Sequence, residues 1–241
     1  MIRLSIITIC YNASSVIIPT LQSVASQNYK EIEYIVIDGA STDRTIRLVE
    51  TYCPFARILS EPDKGIYDAM NKGLQLATGD YVWFLNAGDA FRTPTTVQQV
   101  VNRILSAETL PEVVYGDTMI VDSNYNDLGK RRLRPPHNLK KQDFLKGMLV
   151  CHQAFIVQRK VAPLYDLQYK LSSDYDWCLK ILEKSTHLVE LQEVLVNYLQ
   201  GGLSEKKHWQ SLTERFCIMR QHFGLFPTLF AHLSFLFLHR R

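Results

Sequence analysis

Carboxylates at or just beyond the ends of predicted strands are the residues of this sequence best suited to chemistry. Asp38 follows the apolar run Glu33–Ile37, and Asp89 follows the run Tyr81–Leu85. Ligands of open α/β sheets bind beyond the carboxyl ends of strands, so both side chains are predicted to meet a polar ligand or a metal. Asp38 also precedes a predicted helix, whose free N–H groups suit a nucleotide. The alternative for Asp89 is a turn aspartate that bonds its own backbone.

Asp89 is the predicted metal ligand, at the end of Asn86-Ala87-Gly88-Asp89. Hard cations such as Mg²⁺ and Mn²⁺ prefer oxygen ligands and often use only one or two carboxylates plus substrate phosphates. Such a cation would neutralise a departing diphosphate. Asp63 and Lys64, in the turn Asp63-Lys64-Gly65, follow another predicted strand. They are candidates to bond a base or a sugar, and an ordinary exposed turn is the alternative.

Two further carboxylates, Asp174 and Asp176, open a helix predicted over Asp174–Lys184. The positive end of a helix stabilises both of them, so capping is one interpretation. The other is a general base that takes a proton from an attacking hydroxyl group. His152 lies in Cys151-His152-Gln153, and an isolated histidine is more typical of packing or hydrogen bonding than of metal binding.

The elements that must position these residues alternate between strand and helix. The predicted strands are Leu4–Cys10, Glu33–Ile37, Ala56–Ser60 and Tyr81–Leu85, and the predicted helices are Val16–Ser26, Thr42 or Asp43 to Tyr52, Ile66–Ala77 and Thr95–Leu105. Ser14 or Ser15 is expected to cap the first helix, and Asp43 is interpreted as a cap of the second. This order predicts an α/β fold with a Rossmann-like, doubly wound, mostly parallel sheet.

The pattern changes after Glu112. The strands predicted there are Val113–Tyr115, Met119–Val121, Phe155–Gln158 and a bent Leu188–Leu199. The segment from His208 to Leu238 is predicted to form two helices that Pro227 separates. We therefore expect one domain over residues 1–205, with a change of role near residue 112, followed by C-terminal helices over residues 206–241.

Composition excludes several classes of protein. The chain has 241 residues, of which 46% are hydrophobic and 21% charged, as in ordinary globular proteins. A net charge of +3 is too small to indicate nucleic-acid binding. The five cysteines are widely spaced and form no C-x-x-C, which favours reduced thiols in the cytoplasm. The phosphate loop G-x-x-x-x-G-K-[ST], the dinucleotide motif G-x-G-x-x-G and the hydrolase elbow G-x-S-x-G are all absent from the sequence.

Taken in order, these motifs resemble the family 2 glycosyltransferases, which are inverting enzymes with a GT-A fold, and in particular a bacterial exopolysaccharide branch. The matching segments cover about residues 1 to 205: Ser5–Thr8 with Tyr11-Asn12, Val36–Thr45, Ser60–Gly73, Phe84–Asp89, His152-Gln153, Ser172–Tyr175 and Gly201–Ser204. Each segment alone is a weak signal, whereas the series in this order is highly specific.

The resemblance implies roles for individual residues. Asp38 would contact the donor base, Asp89 the metal, and Asp174 would be the catalytic base, while Asp63 would help to hold the nucleotide. The other predicted binding residues are Thr8, Tyr11, Asn12, Lys64, Gly65, Asn71, Asn86, His152, Gln153 and Asp176. The chain departs from the common family text at Gly39, where a second Asp is frequent, and in the three residues before Asp89, which are usually acidic.

The resemblance also implies partners. The donor would be a nucleoside-diphosphate sugar with Mn²⁺ or Mg²⁺ as cofactor, bound by residues 1–112. The acceptor, bound by residues 113–205, would be a saccharide carried on a polyprenyl diphosphate. The enzyme would then make bacterial surface polysaccharide in the cytoplasm, at the inner face of the plasma membrane. Two alternatives remain: a non-catalytic nucleotide-sugar-binding module, and a nucleotidyltransferase, which would need a glycine-rich phosphate loop after the first strand.

Two regions bear on membrane contact. One is a basic cluster, which is either a solvated surface or a site for a lipid diphosphate or an anionic membrane. Its members are Lys130, Arg131, Arg132, Arg134, Lys140, Lys141 and Lys146. The other is the apolar C-terminal segment, for which core packing and interfacial membrane contact are both consistent with the helical spacing. The segment is too short to span a bilayer, which takes about 20 apolar residues.

Overall fold

The computed structural model describes residues 1–201 and 208–238; residues 202–204 of the last predicted motif and the C-terminal residues 239–241 lie outside the described residues. The strands are β1 (Leu4–Cys10), β2 (Ile32–Asp38), β3 (Arg57–Ser60), β4 (Tyr81–Phe84), β5 (Ala90–Phe91), β6 (Val113–Val121), β7 (Asp127–Lys130), β8 (Phe155–Gln158) and β9 (Leu188–Leu199). The helices are α1 (Ile17–Ala25), α2 (Thr45–Tyr52), α3 (Ile66–Leu76), α4 (Thr96–Leu105), α5 (Ser173–Lys184), α6 (His208–Phe223) and α7 (Leu225–Leu238). Short 3-10 helices cover Lys141–Lys146, His152–Ala154 and Arg159–Val161.

The strands form one mixed sheet in the order β3-β2-β1-β4-β8-β6-β9-β5, with β7 paired to β6. β3, β2, β1 and β4 are parallel to one another, and β9 is parallel to β6. β8, β5 and β7 run antiparallel to their neighbours. Every residue of β1 is buried, as expected for a central strand of a covered parallel sheet. The predicted α/β fold with a mostly parallel sheet is confirmed.

The register of the parallel strands brings polar residues to one edge of the sheet. Cys10 at the end of β1 lies opposite Asp38, and Asp38 lies opposite Ser60 at the end of β3. Beyond β4 the chain keeps following β1, because the N–H groups of Leu85 and Ala87 donate to β1 carbonyl groups. The acidic turn after β4 therefore reaches the same edge as the ends of β1 and β2.

The structure joins two strands that the sequence predicts separately. Val113–Tyr115 and Met119–Val121 belong to the single strand β6. Its pairing with β9 shifts register twice between Tyr115 and Thr118, so the chain passes Gly116-Asp117 without leaving the sheet. The predicted end of the strand at Tyr115 was wrong, because Gly116-Asp117 forms a bulge within the strand and not a turn after it.

Two predicted helix boundaries are also corrected. Neither Ser14 nor Ser15 caps α1, which has no side-chain cap and whose first N–H donates to the Ala13 carbonyl group. The last two helices are separated at Gly224, which has φ +86°, and not at Pro227. Pro227 lies in the first turn of α7, where a missing N–H costs no intrahelical hydrogen bond.

Candidate active site

Two adjoining cavities form a cleft at the edge where the parallel strands end. The strand-end cavity, of about 560 Å³, lies between the end of β1 and the start of α3. The acid cavity, of about 370 Å³, contains Asp89 and Asp174 in its wall. The two cavities share a wall formed by Val16, Ile66, Asn86 and Ala87. A cleft of this size suits a small-molecule ligand, since ligand pockets measure about 300–1,000 Å³.

Five of the predicted binding residues line the strand-end cavity: Tyr11, Asn12, Asp63, Gly65 and Asn86. Tyr11 is 64% exposed, so its ring presents an open face. Asn12 has φ +46°, and its Oδ1 accepts the N–H of Thr42 at 2.9 Å, which fixes the loop after β1. Asp63 Oδ1 accepts the N–H of Gly65 at 2.8 Å. An aromatic face beside a carboxylate can stack on a base and accept hydrogen bonds from it.

Asp38, the predicted contact of the donor base, lines neither cavity. Its carboxylate is fully buried and accepts a hydrogen bond from the Ser60 hydroxyl group at 2.6 Å. It also accepts the N–H of Ser41 at 2.9 Å and the hydroxyl group of the same residue. A ligand could reach this carboxylate only if one of these partners moved. Asp38 thus ties the ends of β2 and β3 to the following loop, and its contact with a base stays a prediction.

Asp89 lines the acid cavity although it is only 4% exposed. Its Oδ2 accepts a hydrogen bond from Gln153 Nε2 at 2.7 Å, and its Oδ1 accepts the N–H of Leu199 at 3.0 Å. Burial raises the pKa of Asp89 to about 7, although these two hydrogen bonds lower it. No basic side chain of the described residues offsets this burial. A nearby cation would therefore favour the charged form of Asp89 strongly.

Asn86 is a second oxygen-bearing residue in the wall of the acid cavity. Its Oδ1 is buried and accepts no hydrogen bond from the described residues. This amide oxygen and the carboxylate of Asp89 fit a hard divalent cation, because such ions prefer oxygen ligands. The part of the chain that the structure describes has no group of three or more His, Cys, Asp or Glu residues that could hold a metal. A cation bound here would depend on oxygen atoms of its ligand as well.

Asp174 lines the acid cavity from the first turn of α5. Its Oδ1 accepts hydrogen bonds from Tyr67 Oη at 3.0 Å and from the N–H of Tyr175 at 2.9 Å. Both donors bond Oδ1. Within residues 1–201 and 208–238 no group donates a hydrogen bond to Oδ2. A carboxylate oxygen that is left open in a cavity can accept a proton from a substrate hydroxyl group.

Besides Asp38, three more of the predicted binding residues lie away from the walls of this cleft. Thr8 is fully buried, and its hydroxyl group donates to the carbonyl group of Leu85 at 2.7 Å. Asn71 exchanges two hydrogen bonds with the backbone of Tyr165. Lys64 lies on the exposed turn outside both cavities. Thr8 and Asn71 therefore hold core elements together in this structure.

His152 belongs to a buried aromatic cluster rather than to the cleft wall. Its ring packs against Phe84 and Trp177, and its Nε2 shares a 2.5 Å hydrogen bond with Tyr165 Oη. Burial lowers the pKa of His152 to about 4, so the imidazole is neutral at physiological pH. The adjacent Gln153 does line the acid cavity, where it contacts Asp89.

Asp176 takes part in a different contact from Asp174. It is 1% exposed, forms an ion pair with Lys180 at 2.6 Å and shares a hydrogen bond with His222 Nε2 of α6 at 2.8 Å. Burial opposes ionisation, yet the hydrogen bonds from His222 and Lys180 bring the pKa of Asp176 below its usual value. Asp176 therefore joins α5 to α6 and lines neither cavity.

Some residues of the cleft are not singled out by the sequence patterns. Tyr67 is 6% exposed, lines the acid cavity and stacks on Tyr165 with ring centroids 5.6 Å apart. A signal for it exists, because Tyr67 lies within the matching segment Ser60–Gly73. Lys170 and Leu171 also line the acid cavity, from a loop that no sequence pattern marks.

The basic cluster is not one open patch of positive charge. Lys130 and Arg134 both pair with Asp117, at 3.1 and 2.6 Å. Lys141 pairs with Glu183 at 2.8 Å. These pairs neutralise part of the charge that the sequence places in this region.

The mixed α/β sheet with a cleft at its parallel strand ends defines a GT-A type fold. Two solved structures are similar to this chain over 97% of its length: Staphylococcus aureus TarS 1–349 in complex with UDP-GlcNAc, and the mannosyltransferase PcManGT from Pyrobaculum calidifontis in complex with GDP-Man and Mn²⁺. The TM-scores are 0.75 and 0.69, the identities 17% and 18%, and the shares of those chains covered 73% and 70%. At such low identity the likeness concerns the fold alone.

Residues 5–163 match the family described as Glycosyl transferase family 2, and the chain belongs to this family. It is 37% identical over 183 residues to an uncharacterized glycosyltransferase of Mycobacterium tuberculosis, Rv1514c, covering 73% of this chain and 67% of that protein. It is 30% identical over 210 residues to the PGL/p-HBAD biosynthesis glycosyltransferase Rv2957 of the same organism, covering 83% and 78%. It is also 27% identical to the amylovoran biosynthesis glycosyltransferase AmsB of Erwinia amylovora, covering 82% and 69%. The predicted glycosyltransferase family is confirmed.

Proposed function

We propose that this protein is an inverting glycosyltransferase that moves a sugar from a nucleoside-diphosphate donor to a hydroxyl group of a saccharide acceptor. One observation carries the proposal: Asp89 and Asp174 line the same cavity, and this cavity adjoins the strand-end cavity through Asn86. A donor that spans both cavities would place its nucleotide at the strand ends and its sugar near the two carboxylates.

The nucleotide would occupy the strand-end cavity. Tyr11 and Asp63 line it, and one supplies an exposed ring while the other supplies a carboxylate. Asp38 would act on the base only through a rearrangement of Ser41 or Ser60, which hold its carboxylate. The similar structures TarS and PcManGT are complexes with UDP-GlcNAc and GDP-Man, which supports a sugar nucleotide as the donor class.

The cofactor would be Mn²⁺ or Mg²⁺, held by Asp89 with help from Asn86, which lines the same cavity and whose Oδ1 has no hydrogen-bond partner among the described residues. When bound, the cation supplies positive charge that stabilises the diphosphate of the leaving group. The similar structure of PcManGT contains Mn²⁺, which supports this choice of ion. The side chain of Gln153 and the backbone N–H of Leu199 orient the Asp89 carboxylate by hydrogen bonds.

Asp174 would be the catalytic base. Its Oδ1 is held by Tyr67 and Tyr175, so Oδ2 is available to take the proton of the acceptor hydroxyl group. The hydroxyl oxygen forms a bond to the anomeric carbon from the face opposite the nucleotide. The bond from that carbon to the diphosphate oxygen breaks at the same time, and the nucleoside diphosphate leaves. One displacement of this kind inverts the anomeric carbon.

The acceptor class we propose is a saccharide on a polyprenyl diphosphate, used to build a bacterial surface polysaccharide. The named roles of similar proteins support a surface glycan or glycolipid, because AmsB acts in amylovoran biosynthesis and Rv2957 in PGL/p-HBAD biosynthesis. Within the exopolysaccharide branch that the motifs resemble, we propose that this chain is most like the colanic acid glycosyltransferase WcaE. We assign donor binding to residues 1–112 and acceptor binding to residues 113–205, with the helices of residues 206–241 outside that domain.

We further propose that the enzyme works in the cytoplasm at the inner face of the plasma membrane, which α7 would contact. Helix α7 carries five large apolar side chains that are at least 41% exposed: Leu225, Phe226, Leu229, Phe230 and Leu233. Among the described residues, no helix combines the length and apolar character needed to cross a bilayer. Contact along the surface, with the apolar face in the interfacial layer, suits such a helix.

A donor panel tests the proposed activity. UDP-, GDP- and dTDP-sugars are each incubated with the protein and Mn²⁺ or Mg²⁺, and both thermal shift and release of nucleoside diphosphate are measured. We expect one nucleotide class to stabilise the protein and to be hydrolysed slowly without an acceptor. Binding without turnover would instead support the non-catalytic sugar-nucleotide module, and the absence of both would contradict the proposal.

A further inference from the structure

We propose that Glu214 of α6 positions the turn before α5 and thereby holds Asp174 in the cleft. The carboxylate of Glu214 accepts three consecutive backbone N–H groups. Its Oε1 accepts the N–H of Lys170 at 3.1 Å. Its Oε2 accepts the N–H of Leu171 at 2.8 Å and that of Ser172 at 3.0 Å. The inference rests on the proposed role of Asp174 as the catalytic base.

The start of α5 needs this external partner because it has no side-chain cap of its own. Ser172 occupies the cap position, but its hydroxyl group bonds Ser211 of α6 at 3.1 Å instead of the first turn of α5. Backbone N–H groups next to a helix start favour a negative charge, and charge-assisted hydrogen bonds are about twice as strong as neutral ones. Glu214 therefore holds the three residues that lead into α5, whereas a capping side chain would bond N–H groups inside its first turn.

The turn that Glu214 holds is part of the acid cavity. Lys170 and Leu171 line that cavity together with Asp174, which lies two residues after the last N–H bound by Glu214. A shift of this turn would move the cavity wall and the first turn of α5 together. Displacement of a reacting group by about 1 Å can cost about 100-fold in rate, so a small shift would be visible in turnover.

Helix α6 is well placed to be the fixed side of this contact. His222, eight residues after Glu214 and about two helical turns along α6, pairs with the buried Asp176 of α5 at 2.8 Å. The two contacts attach α6 to Ser172, just before α5, and to Asp176 in the first turn of α5. Glu214 lies beyond residue 163, where the match to the family ends, so its role is not part of what the family match describes.

The position of Glu214 predicts a separation of effects on chemistry and on nucleotide binding. None of residues 170–172 lines the strand-end cavity, where the nucleotide is proposed to bind. Loss of the Glu214 carboxylate should therefore lower kcat and leave the affinity for UDP or GDP unchanged. A merely structural role would lower both, because a partly unfolded enzyme binds less nucleotide.

The test compares Glu214→Gln and Glu214→Ala in the full chain with the exposed-site control Glu50→Gln. The measurements are kcat and KM for the sugar nucleotide that the donor panel selects, and Kd for UDP and GDP. We expect kcat to fall about 10- to 100-fold in Glu214→Ala and less in Glu214→Gln, which keeps one acceptor oxygen. We expect the nucleotide Kd to change by less than about 2-fold, and Glu50→Gln to match the wild type.

Hydrogen–deuterium exchange provides a readout that does not depend on activity. The amides of residues 170–172 should exchange faster in Glu214→Ala than in the wild type, whereas Asp174→Asn should leave their exchange unchanged. Wild-type kcat in a folded Glu214→Ala enzyme, or equal losses of kcat and nucleotide affinity, would overturn the positioning role. Full turnover by Asp174→Asn would instead overturn the proposed base, whatever the exchange at residues 170–172.

Discussion

Tyr67 Oη donates a 3.0 Å hydrogen bond to Asp174 Oδ1 and so joins α3 to α5 across 107 residues of sequence. Burial raises the pKa of Tyr67 well above its usual value, so the phenol remains a neutral donor at physiological pH. Its ring is held by stacking on Tyr165. A fixed donor on one carboxylate oxygen orients the other oxygen, which is the arrangement a general base needs.

Replacement of these two residues should therefore have graded effects. We expect Asp174→Asn to lower kcat by about 10²- to 10⁴-fold, because the base is lost. Tyr67→Phe keeps the stacked ring and removes one hydrogen bond, so we expect a loss in kcat of about 10-fold. Steady-state release of nucleoside diphosphate measures both. Near-normal kcat in Asp174→Asn would show that Asp174 is not the base. Equal kcat in Tyr67→Phe and the wild type would show that Tyr67 does not orient Asp174.

This contact also marks the limit of what the sequence predicts. The strands β1, β2 and β4 follow from short apolar runs and the turns after them, which are local signals. The position of Asp89 after β4 follows in the same way. The bond between Tyr67 and Asp174 depends on the relative placement of two distant helices, and no local pattern encodes that. The same holds for Glu214, whose three partners lie more than 40 residues earlier.

Some residues in matching motifs serve the core instead of the cleft. Thr8 and His152 belong to segments that resemble the family, yet each is buried with a hydrogen-bond partner inside the protein. A residue within a motif can serve packing or binding, and its amino-acid type does not distinguish these two roles. Burial does, and burial depends on how the whole sheet closes around the residue.

Removal of the Asp89 charge should abolish the response to divalent cations. We expect EDTA to lower wild-type turnover and Mn²⁺ to restore it, while Asp89→Asn loses about 100-fold in kcat and shows no Mn²⁺-dependent thermal shift in the presence of UDP. The control is Asp127→Asn, an exposed carboxylate on β7 that pairs with Arg92. Turnover that is indifferent to EDTA would count against Asp89 as a metal ligand.

A side chain at Gly39 should disturb the proposed nucleotide site through Asp63. A Cβ atom at Gly39 would lie 2.5 Å from Asp63 Oδ2 and 3.3 Å from the Tyr11 ring. The carboxylate can move away because it ends a flexible side chain, so we expect little loss of stability. We expect the Kd for the nucleotide to rise about 3- to 10-fold in Gly39→Ala, measured by calorimetry.

A double-mutant cycle separates this effect from general damage to the loop. In an Asp63→Ala background the carboxylate is absent, so Gly39→Ala should raise the Kd no further. Additive losses of affinity in the double variant would show that Gly39→Ala acts on Tyr11 or on the backbone, independently of Asp63.

The buried His152 should make the free energy of unfolding depend on pH. Its pKa is about 4 in the folded protein and 6.5 in a model peptide, because burial disfavours the charged imidazole. Between these values His152 binds more protons in the unfolded chain, so its contribution to stability rises from pH 4 to 6.5 and is lost as the pH falls through this window. The buried Asp89, whose pKa is raised to about 7, contributes with the opposite sign over the same range. The full effect of His152 is about 3 kcal/mol, at about 1.4 kcal/mol per pKa unit.

Denaturant unfolding between pH 4 and 7 measures this dependence. His152→Gln should lose the rising His152 contribution, so its stability should fall more steeply from pH 4 to 6.5 than that of the wild type, because the opposite contribution of Asp89 then stands alone. Tyr165→Phe removes the hydrogen-bond partner of His152 and keeps the imidazole, so it should retain the slope. An unchanged slope in His152→Gln would assign the pH dependence to other groups.

Membrane contact is the last prediction, and it depends on what lies beside the apolar face of α7. The 3-10 helix Lys141–Lys146 packs against α7, and Lys140 and Lys146 are exposed there. Phe226 and Phe230, one turn apart on α7, are each 74% exposed. Exposed rings on α7 and exposed lysines on the helix that packs against it match an anionic bilayer surface, which attracts cations and takes up apolar side chains at its interface.

Co-sedimentation with vesicles tests this contact. We expect the wild type to bind phosphatidylglycerol vesicles more tightly than phosphatidylcholine vesicles, and to be released by salt. The double change Phe226→Ser/Phe230→Ser should weaken binding by at least about 10-fold, because burying one such side chain contributes about 1.5–3 kcal/mol. Phe55→Ser removes a phenylalanine that is 57% exposed after α2, and should leave vesicle binding unchanged. A different result would be that the wild type binds neither kind of vesicle and forms dimers, and that the double change Phe226→Ser/Phe230→Ser dissociates these dimers. In that case α7 contacts a second copy of the chain and not a membrane.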